Sequence, residues 1–242
     1  MKVRPEVKPF LAASAGAGLL AGLITAVCGC SAVGAIATGA AFAALLGGYM
    51  LYFFRDPPRT APDTHGAIVA AADGHIARLK TLDQAAFRQA VARSGLSESD
   101  MQLFGEGDVL RISTFLSLFD VHVNRAPISG TARFLGYFPG KRLFTFDEKS
   151  SDQNQHNAIL IQGEQLPCLV TQIVGPVCRR VVYWLDHDNP HPIKIAQDFG
   201  MMKFGSRLDM YFPAGAINLQ CALNDVVRAG ESVIATINQQ GA

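Results

Sequence analysis

Cysteine is scarce and poorly spaced for a cross-linked or metal-bound scaffold. The five residues, Cys28, Cys30, Cys168, Cys178 and Cys221, are odd in number and contain no CxxC pair. Two of them lie in an apolar run, so neither a disulfide framework nor a zinc site is expected. The histidines His65, His75, His122, His156, His187 and His191 form no HExxH or similar ligand pattern, and "HDNPH" reads as an exposed turn. No metal is expected. A basic excess is also missing: removing Lys2, Arg4, Lys8 and Glu6 from totals of 21 basic and 20 acidic residues leaves 18 against 19. A nucleic-acid partner is not expected from that balance.

The most informative absence is local. Between Phe10 and Phe54 there is no Asp, Glu, Lys, Arg or His. The stretch is long enough for two spans of about 20 residues each, so it predicts two transmembrane helices, about 10–28 and 32–54, joined near "CGCS". A cleavable signal peptide fits less well, because its apolar region is only ~7–15 residues long. Lys2, Arg4 and Lys8 precede the run while Arg55 and Arg59 follow it, which by the positive-inside rule puts both flanks in the cytoplasm. Residues 1–54 then form a membrane anchor, and residues 55–242 a domain on the cytoplasmic face of the cell membrane. Gly18 and Gly22, with the ladder Ala35, Gly39, Ala43 and Gly47, would let the two helices approach closely.

Beyond the anchor, "FFRDPPR" reads as a membrane exit closed by a Pro-Pro pair. "GAIVAAADGHIARLK" suggests a hairpin about Asp73-Gly74, and Leu82 to Gly95 shows helical spacing ending on Gly. "DVLRISTFLS", "TARFLGYF", "AILIQ", "CLVTQIVG", "CRRVVYWL", "LDMYF" and "SVIATI" read as strands, and "VVRAGESVIATI" as strand, Gly turn, strand. The expected fold is mainly β with some α: a compact barrel- or sandwich-like domain with one clear helix, behind a helical hairpin.

Two places invite chemistry. In "FLSLFDVHVNRAPISG" a strand would set Asp120, His122 and Asn124 on one face, although such clusters are commonly structural corners. In "KFGSRLDMYFP" a Gly-Ser pair sits between apolar runs, as a turn would. Ser206, His122 and Asp73 supply a nucleophile, a base and an orienting carboxylate, but no GxSxG elbow surrounds the serine.

Taken in order, "FFRDPPR", "AADGHI", "FLSLFDVHVNRAPISG", "HNAILI" and "FGSRLDMYFP" resemble the short, membrane-associated branch of the phosphatidylserine decarboxylases, which are pyruvoyl-dependent enzymes. The resemblance runs from about Arg55 to Pro213. It implies that Ser206 attacks the carbonyl of Gly205, that the ester formed is cleaved by β-elimination, and that hydrolysis leaves a pyruvoyl group on the new N-terminus. The products would be a large chain, 1–205, and a small chain, 206–242, held together as a heterodimer. His122 and Asp73 match the family's base and orienter, and His122 would also protonate the decarboxylated carbanion. The pyruvoyl carbonyl would form a Schiff base with the phosphatidylserine amine, releasing CO2 and giving phosphatidylethanolamine without pyridoxal phosphate. Arg125, Lys203 and Arg207 would be headgroup cations. The family's longer branch carries a second histidine where this chain has Arg125, so His122 inherits both tasks. The alternatives are an unprocessed membrane-tethered β domain that binds or supports, and a Ser-His-Asp hydrolase.

Overall fold

The computed structural model describes residues 1–141, 143–144, 153–175 and 181–238. The chain divides into two compact units, Met1–Pro58 and Arg59–Ala242.

An uncharged run has no partner for its backbone except itself, and the first unit meets that need with helices. Helix α1 spans Lys8–Val27 and α2 Ala32–Phe53, with Ser31 Oγ accepting the Gly34 amide at 3.2 Å to cap α2. Both are long and apolar enough to cross a membrane. Their side chains face outward, with Leu19 78% and Ile36 72% exposed, so lipid rather than a protein core is the solvent they suit. The glycines set their separation: a Cβ on Gly18 would meet the Gly39 carbonyl oxygen at 2.6 Å, and one on Gly39 would meet the Gly18 oxygen at 2.7 Å. Strand β1 (Lys2–Val3) pairs antiparallel with β2 (Arg55–Asp56), and Arg4 forms a 2.8 Å salt bridge with Asp56. Both ends of the helix pair therefore return to one side.

The second unit is mainly β. Its elements in order are β3 (Ala67–Val69), β4 (Gly74–Leu82), α3 (Gln84–Val91), α4 (Glu98–Gln102), β5 (Val109–Leu116), β6 (Val123–Arg125) and β7 (Gly130–Phe138). There follow β8 (His156–Gln162), β9 (Pro167–Val174), β10 (Val182–Tyr183), β11 (His191–Ile193) and β12 (Asp198–Met201). The last are β13 (Ser206–Pro213), β14 (Ile217–Leu219), β15 (Val226–Val227) and β16 (Val233–Ile237). An eight-stranded antiparallel sheet runs β11-β7-β8-β9-β13-β5-β4-β15, accompanied by three-stranded sheets β14-β16-β3 and β10-β12-β6. Among the described residues the sheets remain open and do not close into a barrel.

Alternation along the strands divides the large sheet into two faces. On one, Ile76, Ile112, Ile159, Val170, Leu208, Met210 and Phe212 join Ile68, Phe199 and Ile234 from the smaller sheets in the main core. On the other, Leu82, Val109, Leu160, Leu169 and Tyr211 pack against Phe87 and Val91 of α3 and against Phe104. Helix α3 begins where the Asp83 carboxylate accepts the Ala86 amide at 2.8 Å. Helix α4, unanticipated from sequence, is one short turn nucleated by a Ser97–Asp100 capping box.

The expected hairpin about Asp73-Gly74 is not a hairpin. Strand β3 pairs with β16 and β4 with β5 and β15, so Asp73-Gly74 connects two sheets. Gly74, at φ +137°, packs so tightly that a Cβ would lie 2.0 Å from the Phe115 oxygen, a close approach and not a two-residue turn. The stretch "VVRAGESVIATI" is strand, Gly turn, strand as read, with β15 and β16 on either side of Gly230 but in different sheets. Among the described residues of "CRRVVYWL" the short β10 is the strand, and Cys178, Arg179 and Arg180 lie outside the described residues.

Candidate active site

Ser206 is the first residue of β13, the strand at the centre of the large sheet, paired with Leu116 of β5 and Val174 of β9. It is fully buried, and its Oγ has no hydrogen-bond partner among the described residues. An orphaned buried hydroxyl costs about 1–3 kcal/mol, which evolution removes cheaply unless the group reacts. The two preceding residues, Phe204 (φ 55°) and Gly205 (φ 68°), are both left-handed. For Phe204 that conformation costs about 1–2 kcal/mol. A Cβ on Gly205 would meet nothing within 4 Å, so the glycine serves backbone geometry and an open approach to its carbonyl, not packing.

His122 reaches this junction through β6 and β12. Val123 pairs with Met201, and the Met202 amide donates to the His122 carbonyl at 3.1 Å, setting the histidine beside the 202–205 segment that leads into Ser206. The ring is buried, with Nδ1 2.9 Å from the Asp120 carbonyl oxygen. A carbonyl only accepts, so Nδ1 carries the hydrogen and Nε2 of the neutral ring holds the lone pair. Asp120, Asn124 and His122 do not share a face of one strand as expected. Strand β6 begins only at Val123, because the Asp120 carboxylate accepts the Ser117 amide at 2.7 Å and closes a turn over residues 117–120.

Asp73 precedes the tight Gly74. Its Oδ1 accepts the Ala229 amide and its Oδ2 the Arg59 guanidinium, both at 2.8 Å. The Arg125 amide donates to Ala71 at 3.0 Å, which seats the Asp73 segment beside β6, while His75 pairs with Phe115, the neighbour of Leu116. Ser206, His122 and Asp73 are thus brought to one end of the sheet from three separate stretches of chain.

The three cations separate. Lys203 is half-buried in the segment before Ser206. Arg125 is buried, with Nη1 donating to the Ala196 carbonyl at 3.1 Å. Arg207 points to the opposite face of the sheet from Ser206, where its Nε lies 3.0 Å from Asp209 and both are buried. That face also holds Arg111 and Tyr211, whose phenol is pushed up by burial and by the Asp209 carboxylate. Sequence reading missed the buried amide chain on the Ser206 face: Gln172 Nε2 donates to Asn124 Oδ1 at 2.7 Å, and Asn157 Nδ2 to Gln172 Oε1 at 3.4 Å. The signal was there, since Asn157 and Gln172 interrupt apolar strands at core-facing positions.

The chain thus combines a mainly β unit, in which a buried serine opens a central strand and a buried histidine lies on the segment leading to it, with two helices long and apolar enough to cross a membrane. The family described as phosphatidylserine decarboxylase matches residues 46–235. "Phosphatidylserine decarboxylase proenzyme" from Cereibacter sphaeroides is 37% identical over 235 residues, 96% of this chain and 88% of that protein. The proteins of the same name from Desulfotalea psychrophila (34% over 192 residues; 78% of this chain, 79% of that one) and Chlorobium phaeobacteroides (39% over 186; 77% and 78%) are similar along most of their lengths. The chain belongs to the phosphatidylserine decarboxylase family.

Proposed function

We propose that this chain is a self-processing decarboxylase that converts phosphatidylserine to phosphatidylethanolamine and CO2 at the cytoplasmic face of the cell membrane. Family membership supports the reaction class. The observation that carries the mechanism is the junction itself, a buried serine with an orphaned hydroxyl placed immediately after two left-handed residues.

In the precursor, His122 Nε2 takes the proton from Ser206 Oγ, which attacks the Gly205 carbonyl carbon; the C–N bond breaks and an ester replaces the peptide. The Asp120 carbonyl orients the base through Nδ1, and the Asp73 carboxylate, itself held in place by Arg59 and the Ala229 amide, would act on it through its charge. Loss of the Ser206 α-proton expels the Gly205 carboxylate and leaves dehydroalanine on the small chain. Its enamine tautomerises to an imine, and water releases ammonia to leave the pyruvoyl group. The relaxing left-handed pair releases backbone strain at the cleavage step.

The orphaned Ser206 Oγ fits this group, because the pyruvoyl oxygen would occupy a site that satisfies no structural hydrogen bond. When formed, the group supplies an electrophilic carbonyl and an electron sink for decarboxylation. This chain's residues then bind and protonate: Lys203 and Arg125 lie on the segments flanking the site and are the nearer candidates for the phosphate, whereas Arg207 braces β13 from behind. His122 returns a proton to the substrate carbon. Freeing the 202–205 segment by cleavage uncovers the site for the headgroup.

The direct test is Ser206→Ala, assayed for chain cleavage and for CO2 release from phosphatidylserine. Both are expected to vanish; decarboxylation by an uncleaved Ser206→Ala chain would refute the reading.

A further inference from the structure

Asn124 is fully buried on β6, and only one end of its side chain is engaged. Its Oδ1 accepts Gln172 Nε2 at 2.7 Å, and Gln172 Oε1 in turn accepts Asn157 Nδ2 at 3.4 Å. Asn124 Nδ2, which carries two hydrogens, has no hydrogen-bond partner among the described residues. A structural corner would engage both ends of a buried amide. The register sets this free donor close to Ser206. Across β13 and β9, Ser206 pairs with Val174 and Leu208 with Gln172, so Gln172 is the diagonal neighbour of Ser206 on the same face of the sheet. Gly200, the partner of Asn124 in β12, lies over Gln172: a Cβ there would be 3.1 Å from Gln172 Nε2. From Gly200 the chain runs past His122, whose carbonyl accepts the Met202 amide, to Gly205.

We propose that Asn124 is a catalytic residue of chain cleavage, its Nδ2 donating to the oxyanion that forms on the Gly205 carbonyl oxygen. The proposal rests on the reading of this chain as self-processing. When Ser206 Oγ bonds to the Gly205 carbonyl carbon, its proton passes to His122 Nε2 and the carbonyl π pair moves onto the Gly205 oxygen. Collapse of that oxyanion breaks the C–N bond, and the proton returns from His122 to the departing Ser206 nitrogen. A negative charge formed in a buried site needs a donor already in place. His122 is not that donor, because in the neutral ring Nδ1 holds the one N–H and points at the Asp120 carbonyl. Thr114, opposite Leu208 on the same face, also has an orphaned Oγ1, but a hydroxyl rotates whereas the Asn124 amide is pinned at its oxygen. The chain Asn157–Gln172–Asn124 thus fixes the free N–H pair before the charge appears. None of the three titrates, so the donor persists wherever the chain is folded.

The full-length precursor, made by cell-free synthesis into phosphatidylcholine nanodiscs, is followed for the appearance of the 206–242 fragment with and without hydroxylamine, which attacks the ester to leave a Gly205 hydroxamate and an intact Ser206. Asn124→Asp keeps the acceptor for Gln172 and removes the N–H. Gln172→Glu removes the donor to Asn124 and offers it an acceptor, which turns the Asn124 amide round without altering Asn124 itself. Each variant is expected to slow cleavage about 100-fold or more, with no rescue by hydroxylamine, since the oxyanion precedes the ester. The double variant is expected to be no slower than the singles, because all three remove one bond. Cleavage of both single variants at the wild-type rate overturns the proposal, as does rescue by hydroxylamine, which would place the amide at the loss of the Ser206 α-proton after the ester has formed. Slowing that adds in the double variant, or that tracks lost thermal stability, also overturns it, as the mark of a merely structural amide chain. A wild-type chain that never divides under either condition faults the self-processing reading itself, whereas a dividing wild type beside unimpaired variants faults Asn124 alone.

Discussion

Single residues around Ser206 have separable duties. His122→Ala and Asp73→Ala are expected to slow chain cleavage, followed as the appearance of two fragments with time; normal processing in both variants would mean that neither serves as base or orienter. Gly205→Ala meets no side chain or backbone, so any effect reports conformation alone: φ 68° disfavours alanine by about 1 kcal/mol, and slower cleavage with an intact fold is the expected outcome. Asp209 lies behind the site. Its carboxylate neutralises Arg207 in a pair exposed by only 0% and 1%, so Asp209→Ala leaves a buried cation uncompensated and should cost about 3 kcal/mol or more in thermal unfolding.

Elements place these residues, and here sequence and structure part company in instructive ways. The long strands β5, β7, β8, β9 and β13 were readable because each alternates or runs apolar between turn residues, and the two long helices because charge is absent. What could not be read was partnership. "AADG" carries a good local hairpin signal, yet the pairing of β4 with β5 and of β3 with β16 is decided by distant apolar faces, which no local motif encodes. The candidate site shows the same limit: Ser206, His122 and Asp73 were nominated by their motifs, but Gln172 and Asn157 reach Asn124 only through the tertiary fold. Gly74→Ala tests the tight β4–β5 junction, since a Cβ 2.0 Å from the Phe115 oxygen must push the strands apart. A loss of about 1–3 kcal/mol together with impaired cleavage is expected. At α4, burial alone would raise the Asp100 pKa, but bonds from Arg133 and Ser97 outweigh it and hold the carboxylate below its ordinary 3.8. A depressed carboxylate stabilises the fold above its unfolded pKa and loses that contribution as pH falls through the folded one. Asp100→Asn should therefore lower the unfolding temperature at neutral pH and make little difference near pH 2.

At the scale of the whole molecule, cutting the bond before Ser206 does not release the small chain. Strand β13 stays hydrogen-bonded on both edges, to β5 and β9, and Leu208, Met210, Phe212 and Ile234 of the 206–242 segment stay in the main core. Peptide cleavage leaves that burial intact, so the two chains should co-purify and separate only in denaturant. In the proposed reading the apolar helix pair would keep the protein with its lipid substrate, and Gly18 and Gly39 let those helices approach closely. The measurement that bears most directly on the whole account is the intact mass of freshly purified protein, with an assay of its activity on phosphatidylserine. Two fragments dividing between Gly205 and Ser206, the smaller blocked to N-terminal sequencing by a pyruvoyl group, are expected. A single chain of 25.9 kDa that stays whole and still decarboxylates phosphatidylserine would contradict it.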